Sequence, residues 1–285
     1  MPRSRPHRRS PMRVSRRAGA GVLAVAVAVA AALLIGWVVF RPSGADDIDS
    51  PFDSFPAPGD RHGAARFVPG APAPQARLAS FVSFVFADVQ RSWQAEFARA
   101  GRAYEPAQLV IFRRAARSAC GPASTATGPF YCPLEEAVYL DLGFLRALAT
   151  AIEAPGDFAQ AYVIAHEVSH HVQTLTGVTQ EVTAAASQDP SIANELSISL
   201  ELQADCLAGV WAHSTYERGL LESGDLEEGL AAAAAVGDDR IQAKTTGRID
   251  PETWTHGRSE QRAGWFLRGF ERGEAAACDT FESEL

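Results

Sequence analysis

Cysteine is scarce. Four residues in a chain of 285 are too few for a disulfide-dense miniprotein, and no C-x-x-C pair offers a cysteine zinc knuckle. Positive charge is thin in the body of the chain. Seven of the 26 basic residues stand within residues 2–17 with no acid among them, which leaves 19 basic against 34 acidic residues, a net of −15. A folded part of that sign has no electrostatic case for gripping a phosphate backbone, so nucleic acid is not an expected partner. No internal repeat is present. What remains is a chain with 47% hydrophobic and 21% charged residues, the balance of a protein with a real core.

An apolar run long enough to cross a bilayer occurs once, from Ala18 to Phe40. It carries no charge, and at about 1.5 Å per residue in a helix it spans the ~30 Å hydrocarbon layer. Seven arginines precede it and Arg41 follows, with Trp37 and Phe40 near the outer end. That asymmetry predicts a cytoplasmic leader (1–17), a transmembrane anchor (18–40) and an exported remainder. A cleaved signal peptide is the competing reading, but the run exceeds the usual apolar core of such signals and no clear A-x-A site follows at once. Residues 41–75 hold seven prolines and a group of aspartates, which predicts an extended linker. The folded domain is expected over 76–285.

Within that domain the apolar spacing of Phe81, Phe84, Val85, Val89, Trp93 and Phe97 predicts a helix over 78–100. Strands are expected at 107–112 and 137–142, and a helix at 144–152. Pro155-Gly156-Asp157 breaks the chain and is expected to cap a helix over 158–176, which Gly177 ends. Further helices are expected over 194–214, 226–245 and 259–272. The predicted class is α+β, helix-dominated.

The helix at 158–176 contains His166-Glu167-Val168-Ser169-His170, an H-E-x-x-H pattern. Histidines four apart share one helix face, so both imidazoles reach one ion, and Glu167 borders the same site as a base for a metal-activated water. The apolar flanks of this segment suit a buried helix. A catalytic zinc takes three protein ligands and keeps one position open, and His₂Glu is an established set. Glu201, 31 residues after His170, supplies the third candidate. Asp205 lies one turn further on the same face, where it can accept the spare N–H of a ligating histidine. A solvated helix face is the ordinary fate of such acids, but these two sit among Leu200, Leu202, Ala204 and Leu207, which favours burial with partners.

The stretches CGPASTATGPFYCP at 120–133, VYLDLGF at 138–144, AHEVSHHVQ at 165–173, ELQADCLAGVWAH at 201–213 and HGRSEQRAGWFLRGF at 256–270 resemble the bacterial putative neutral zinc metallopeptidase family, in the family's order. The resemblance implies a zincin-like catalytic domain behind an N-terminal membrane segment, with one Zn²⁺ as cofactor and a peptide or protein substrate. The E-x-x-x-D pattern at Glu201 and Asp205 is also similar to that of gluzincins, and implies that Glu201 binds zinc and Asp205 supports a histidine.

The other histidines are weaker candidates. His171 points off the metal face and is expected to pack or face solvent, as is His213. His256 sits in a Thr-His-Gly loop before a helix, where it can hydrogen-bond the oxyanion of a tetrahedral intermediate or simply serve as a loop or capping residue. Four cysteines allow three pairings. Export permits oxidation, and Cys120 with Cys132 is the favoured pair, closing a Gly/Pro/Ser/Thr loop. Cys206 with Cys278 would then tie the tail to the ligand helix.

The expectation is a membrane-anchored zinc endopeptidase with its catalytic domain outside the cytoplasm, in which extended substrate pairs with the strand at 137–142. The alternative keeps the fold without turnover, as an envelope scaffold with a structural metal. An intact Glu167 argues against it, because a structural site needs no base. An intramembrane protease does not fit, because the motif helix is polar and far from the apolar run.

Overall fold

A computed structural model describes residues 66–67, 73–124, 127–151 and 157–282. The segments expected as leader and anchor, and nearly all of the expected linker, lie outside them. No helix among the described residues is long and apolar enough to cross a membrane.

The domain is helix-dominated α+β. Helix α1 (Ala73–Arg99) buries Val82, Val85, Phe86, Val89, Trp93 and Phe97, a stripe at helical period; Phe81 and Phe84 pack only partly against the same core. Then come β2 (Gln108–Phe112), β3 (Ala115–Ser118), β4 (Gly121–Ser124), β5 (Phe130–Cys132) and β6 (Ala137–Asp141), followed by α2 (Leu142–Ala151). A two-residue strand β1 (Arg66–Phe67), inside the segment expected as linker, runs parallel to β2. The main sheet has the order β1-β2-β6-β5, with β5 antiparallel to β6, and β3-β4 form a separate hairpin. Strand β6 is fully buried, and β2 and β5 occupy its two edges. It therefore cannot take up substrate as the sequence suggested; among the described residues the outer edges of this sheet are those of β1 and β5.

The motif helix α3 (Phe158–Thr176) is buried on almost every face, with Tyr162, Ile164, Ala165, Val168 and Val172 in the core. Gly177 ends it at φ 93°, where its N–H returns to the Thr174 carbonyl; a left-handed residue there favours glycine. The start departs from expectation. The Asp157 side chain makes no capping bond, and the Phe158 N–H donates instead to Glu228 Oε2 at 3.2 Å. Helix α4 (Val178–Gln188), which the sequence pattern did not mark, leads to α5 (Ala193–Glu217).

The span expected as one helix over 226–245 is two, α6 (Asp225–Ala235) and α7 (Asp238–Thr245). The break falls at Gly237, which is extended, and a Cβ there would strike the backbone of Ser259. The helix α8 (Ser259–Arg272) packs against α5 in the most extensive helix–helix contact among the described residues. Gly209 and Gly269 permit the crossing, since a Cβ on either would collide with a backbone carbonyl of the other helix. Disulfides join Cys120 to Cys132 and Cys206 to Cys278. The first staples β5 to the β3-β4 hairpin, and the second ties the chain beyond α8 back to α5.

Candidate metal centre

Three helices build the centre. α3 supplies His166, Glu167 and His170, α5 supplies Glu201 and Asp205, and α8 supplies Arg262. His166 Nε2 stands 3.2 Å from Glu201 Oε2 and His170 Nε2 stands 3.5 Å from Glu201 Oε1. One donor atom from each of these residues lies within 4.8 Å of the others. Ligands about 2.0–2.1 Å from a tetrahedral zinc are roughly 3.3–3.4 Å apart, so two imidazoles and one carboxylate at these separations fit that ion.

The outer nitrogens of both histidines are spoken for. His166 Nδ1 lies 2.8 Å from Asp205 Oδ1, and His170 Nδ1 lies 2.8 Å from Gln173 Oε1. Each ring is thus held outward through Nδ1, which leaves Nε2 as the nitrogen turned toward Glu201. Asp205, fully buried, also accepts from the Tyr162 hydroxyl at 2.5 Å and from Arg262 through Nε at 2.7 Å and Nη2 at 3.0 Å. Tyr162, Gln173 and Arg262 were missed in the sequence. A buried arginine on a helix otherwise rich in surface charge carries no periodic signal that separates it from its neighbours.

The charges of the centre are strongly coupled. Burial alone would lower the His166 pKa, but the Asp205 carboxylate outweighs it and carries the imidazole to about 10. His170, whose outer partner is a neutral amide, is pushed down to about 4 by burial. Burial also raises Glu167 to about 7, with help from nearby Glu201 and against the pull of His166, Arg262 and the Tyr131 backbone. Glu201 goes the other way. Its burial is overcome by His170, His166 and His256, which hold it below the ordinary carboxylate range. Two carboxylates side by side therefore differ in proton affinity, one suited to a cation and the other to moving protons near neutrality.

A cavity of about 180 Å³ opens over these residues. Phe130, Phe144, Val163 and Val236 give it apolar walls, and His256 lies in its lining. The His256 loop is pinned by Asp238, whose Oδ2 accepts the backbone N–H groups of Thr255, His256 and Gly257 at 2.8, 2.6 and 3.0 Å. His256 Nδ1 lies 3.1 Å from Asp238 Oδ1. His171 is fully buried and packs, with Nε2 2.7 Å from the Glu105 carbonyl and Nδ1 3.0 Å from the Tyr131 hydroxyl. It thereby fixes β5 against α3, with the Tyr131 backbone bonded to Glu167. His213 is likewise structural, with Nδ1 2.6 Å from the Phe270 carbonyl.

The sequence model of the family described as "Putative neutral zinc metallopeptidase" matches residues 7–281. Among curated proteins the chain is similar to "Uncharacterized protein YpfJ" of Escherichia coli (strain K12), 47% identical over 208 residues that cover 73% of this chain and 72% of that protein. It is also similar to "Uncharacterized protein Rv2575" of Mycobacterium tuberculosis (strain ATCC 25618 / H37Rv), 45% identical over 191 residues, 63% of this chain and 64% of that protein. No solved structure matches.

Proposed function

Because the chain belongs to the putative neutral zinc metallopeptidase family, we propose that it is a zinc-dependent endopeptidase, with His166, His170 and Glu201 as the metal ligands and Glu167 as the base. The observation that carries the proposal is the convergence of those three donors in a cavity wall beside a buried carboxyl raised to about 7. A scaffold with a purely structural metal would have no use for that carboxyl.

When bound, zinc supplies Lewis acidity to the scissile carbonyl and a water acidic enough to ionise near neutral pH. Glu167 would take a proton from the attacking water as its oxygen adds to the carbonyl carbon. It then delivers the proton to the amide nitrogen as the C–N bond breaks. A group with a pKa near the working pH does both with little penalty. His256 lies in the cavity lining with Nδ1 3.1 Å from Asp238 Oδ1, which leaves Nε2 to meet the carbonyl oxygen as charge gathers there. Substrate lies extended beside β5, between Pro129 and Pro133 in the cavity lining, where the Tyr131 backbone N–H is held by Glu167.

The seven arginines before residues 18–40 and the single Arg41 after them support an anchored protein with this domain outside the cytoplasm. The two disulfides suit an oxidising compartment. The test is to incubate the zinc-loaded full-length chain with a proteome-derived peptide library and map new N-termini. New cleavage sites that vanish in Glu167→Gln are the expected result; a library left intact by the zinc-loaded wild type would refute the proposal.

A further inference from the structure

Gln173, one turn beyond the H-E-x-x-H pattern, is wholly buried, and each end of its amide has a partner. Oε1 faces His170 Nδ1 at 2.8 Å, while Nε2 faces the Leu200 backbone carbonyl at 2.7 Å and Gln203 Oε1 at 3.1 Å. A main-chain carbonyl can only accept, so the atom facing Leu200 must be the NH₂ group, and the atom facing His170 must be the oxygen. An oxygen there requires His170 to carry its proton on Nδ1. The orientation is secured a second time further out. Gln203 Nε2 donates to the Cys278 carbonyl at 3.1 Å, which turns Gln203 Oε1 toward Gln173. Two backbone carbonyls thus dictate, through two side-chain amides, which nitrogen of His170 is free.

We infer that Gln173 is the positioning residue for His170. It holds the imidazole in the Nδ1–H form with Nε2 aimed at the metal position, and through Leu200 it locks that ring to the turn of α5 that carries Glu201. The inference rests on the proposed role of His170 and Glu201 as ligands. The geometry also explains why the two histidines have unlike outer partners. Asp205 gives His166 an anionic acceptor with its own arginine counter-charge. His170 receives a neutral acceptor that adds no further negative charge to a centre already holding Glu167, Glu201 and Asp205. A leucine or methionine would fill the same space without fixing the tautomer, and a glutamate would keep the acceptor for Nδ1–H while losing the donor to Leu200.

The test uses the full-length chain stripped of metal, as wild type, Gln173→Met and Gln173→Glu. Zinc affinity is measured against a competing chromophoric chelator, and the visible spectrum of the Co²⁺-loaded protein reports ligand geometry. Gln173→Met should bind zinc roughly 10–100-fold more weakly and alter the cobalt spectrum. Gln173→Glu should recover most of the affinity. A merely structural role would lower the thermal midpoint of the metal-free protein and leave affinity and spectrum unchanged. Wild-type zinc binding with an unchanged cobalt spectrum in a folded Gln173→Met would overturn the inference while leaving the ligand set intact; failure of the wild type to bind zinc would overturn both. Should Gln173→Met not fold, the ¹⁵N spectrum of the wild-type histidines decides: a His170 proton on Nδ1 supports the inference, and one on Nε2 contradicts it.

Discussion

Arg262 grips Asp205 with two parallel bonds, Nε to Oδ2 at 2.7 Å and Nη2 to Oδ1 at 3.0 Å, and both side chains are buried. The same Asp205 accepts from His166, so the arginine stands one residue behind a candidate ligand. Its Nη1 also donates to the Val236 carbonyl at 3.1 Å, at the break between α6 and α7. Removing one member of such a pair strands the other charge in the interior. Arg262→Met should therefore destabilise the fold by about 3–5 kcal/mol, read by urea denaturation of the metal-free chain. A change under about 1 kcal/mol would mean that Asp205 finds another partner.

Asp205→Asn acts on the metal more than on the fold. The amide can still accept from His166 Nδ1–H, but its NH₂ group then faces the Arg262 donors, and the carboxylate charge behind the imidazole is gone. Zinc affinity should fall about 10–100-fold in chelator competition. Unchanged affinity would remove Asp205 from the metal site.

The α5–α8 crossing carries Asp205 and Arg262 toward each other, and it exists because two glycines leave the backbones bare. A methyl group at Gly269 would meet the Cys206 carbonyl, and one at Gly209 the Phe266 carbonyl. Neither obstacle is a side chain that can swing aside. Gly269→Ala should cost about 3 kcal/mol, the upper end for overpacking, and should lower the thermal midpoint. A variant as stable as the wild type would show that the helices can separate without loss.

Asp157 predicts a pH dependence. Burial, with Asp225, Glu228 and Glu222 nearby, raises its pKa from 3.8 to about 6. The native state therefore holds a proton that the unfolded chain releases between those values. The associated stability is fully present below about 3.8 and is lost as pH rises through about 6. Two pKa units correspond to about 3 kcal/mol, which partial exposure reduces to roughly 1 kcal/mol. Asp157→Asn should thus be more stable than wild type by about that amount at pH 7.5 and indistinguishable from it at pH 3.5, by denaturant titration at both values. An equal difference at the two pH values would contradict the assignment.

The parts legible in the sequence were those encoded by local spacing. His166 and His170 share a face because they are four apart, Glu201 and Asp205 for the same reason, and Gly177 announced the end of α3 through its need for positive φ. What escaped was set by distant approaches. Gly237 breaks a helix because Ser259 comes close to it, not because of its neighbours in sequence. Strand β6 reads as a short apolar run with nothing in it to say which strands flank it, and β2 and β5 do. The three-residue β5 is too short to show a period. Gln173 looks like a solvated helix residue until α5 folds over it, and so does Arg262 until α8 packs against α5. Asp157 has the residue type and position of a cap, but Glu228 takes that bond.

The central claim, that Glu201 holds the metal while Glu167 moves the proton, is tested most directly by zinc content and peptide hydrolysis measured together on Glu167→Gln and Glu201→Ala. Glu167→Gln should keep about one zinc per chain while turnover falls about 10²–10⁴-fold or more. Glu201→Ala, short of one of three protein ligands, should lose the metal and the activity together. Zinc lost from Glu167→Gln and retained by Glu201→Ala would contradict the assignment of the two glutamates.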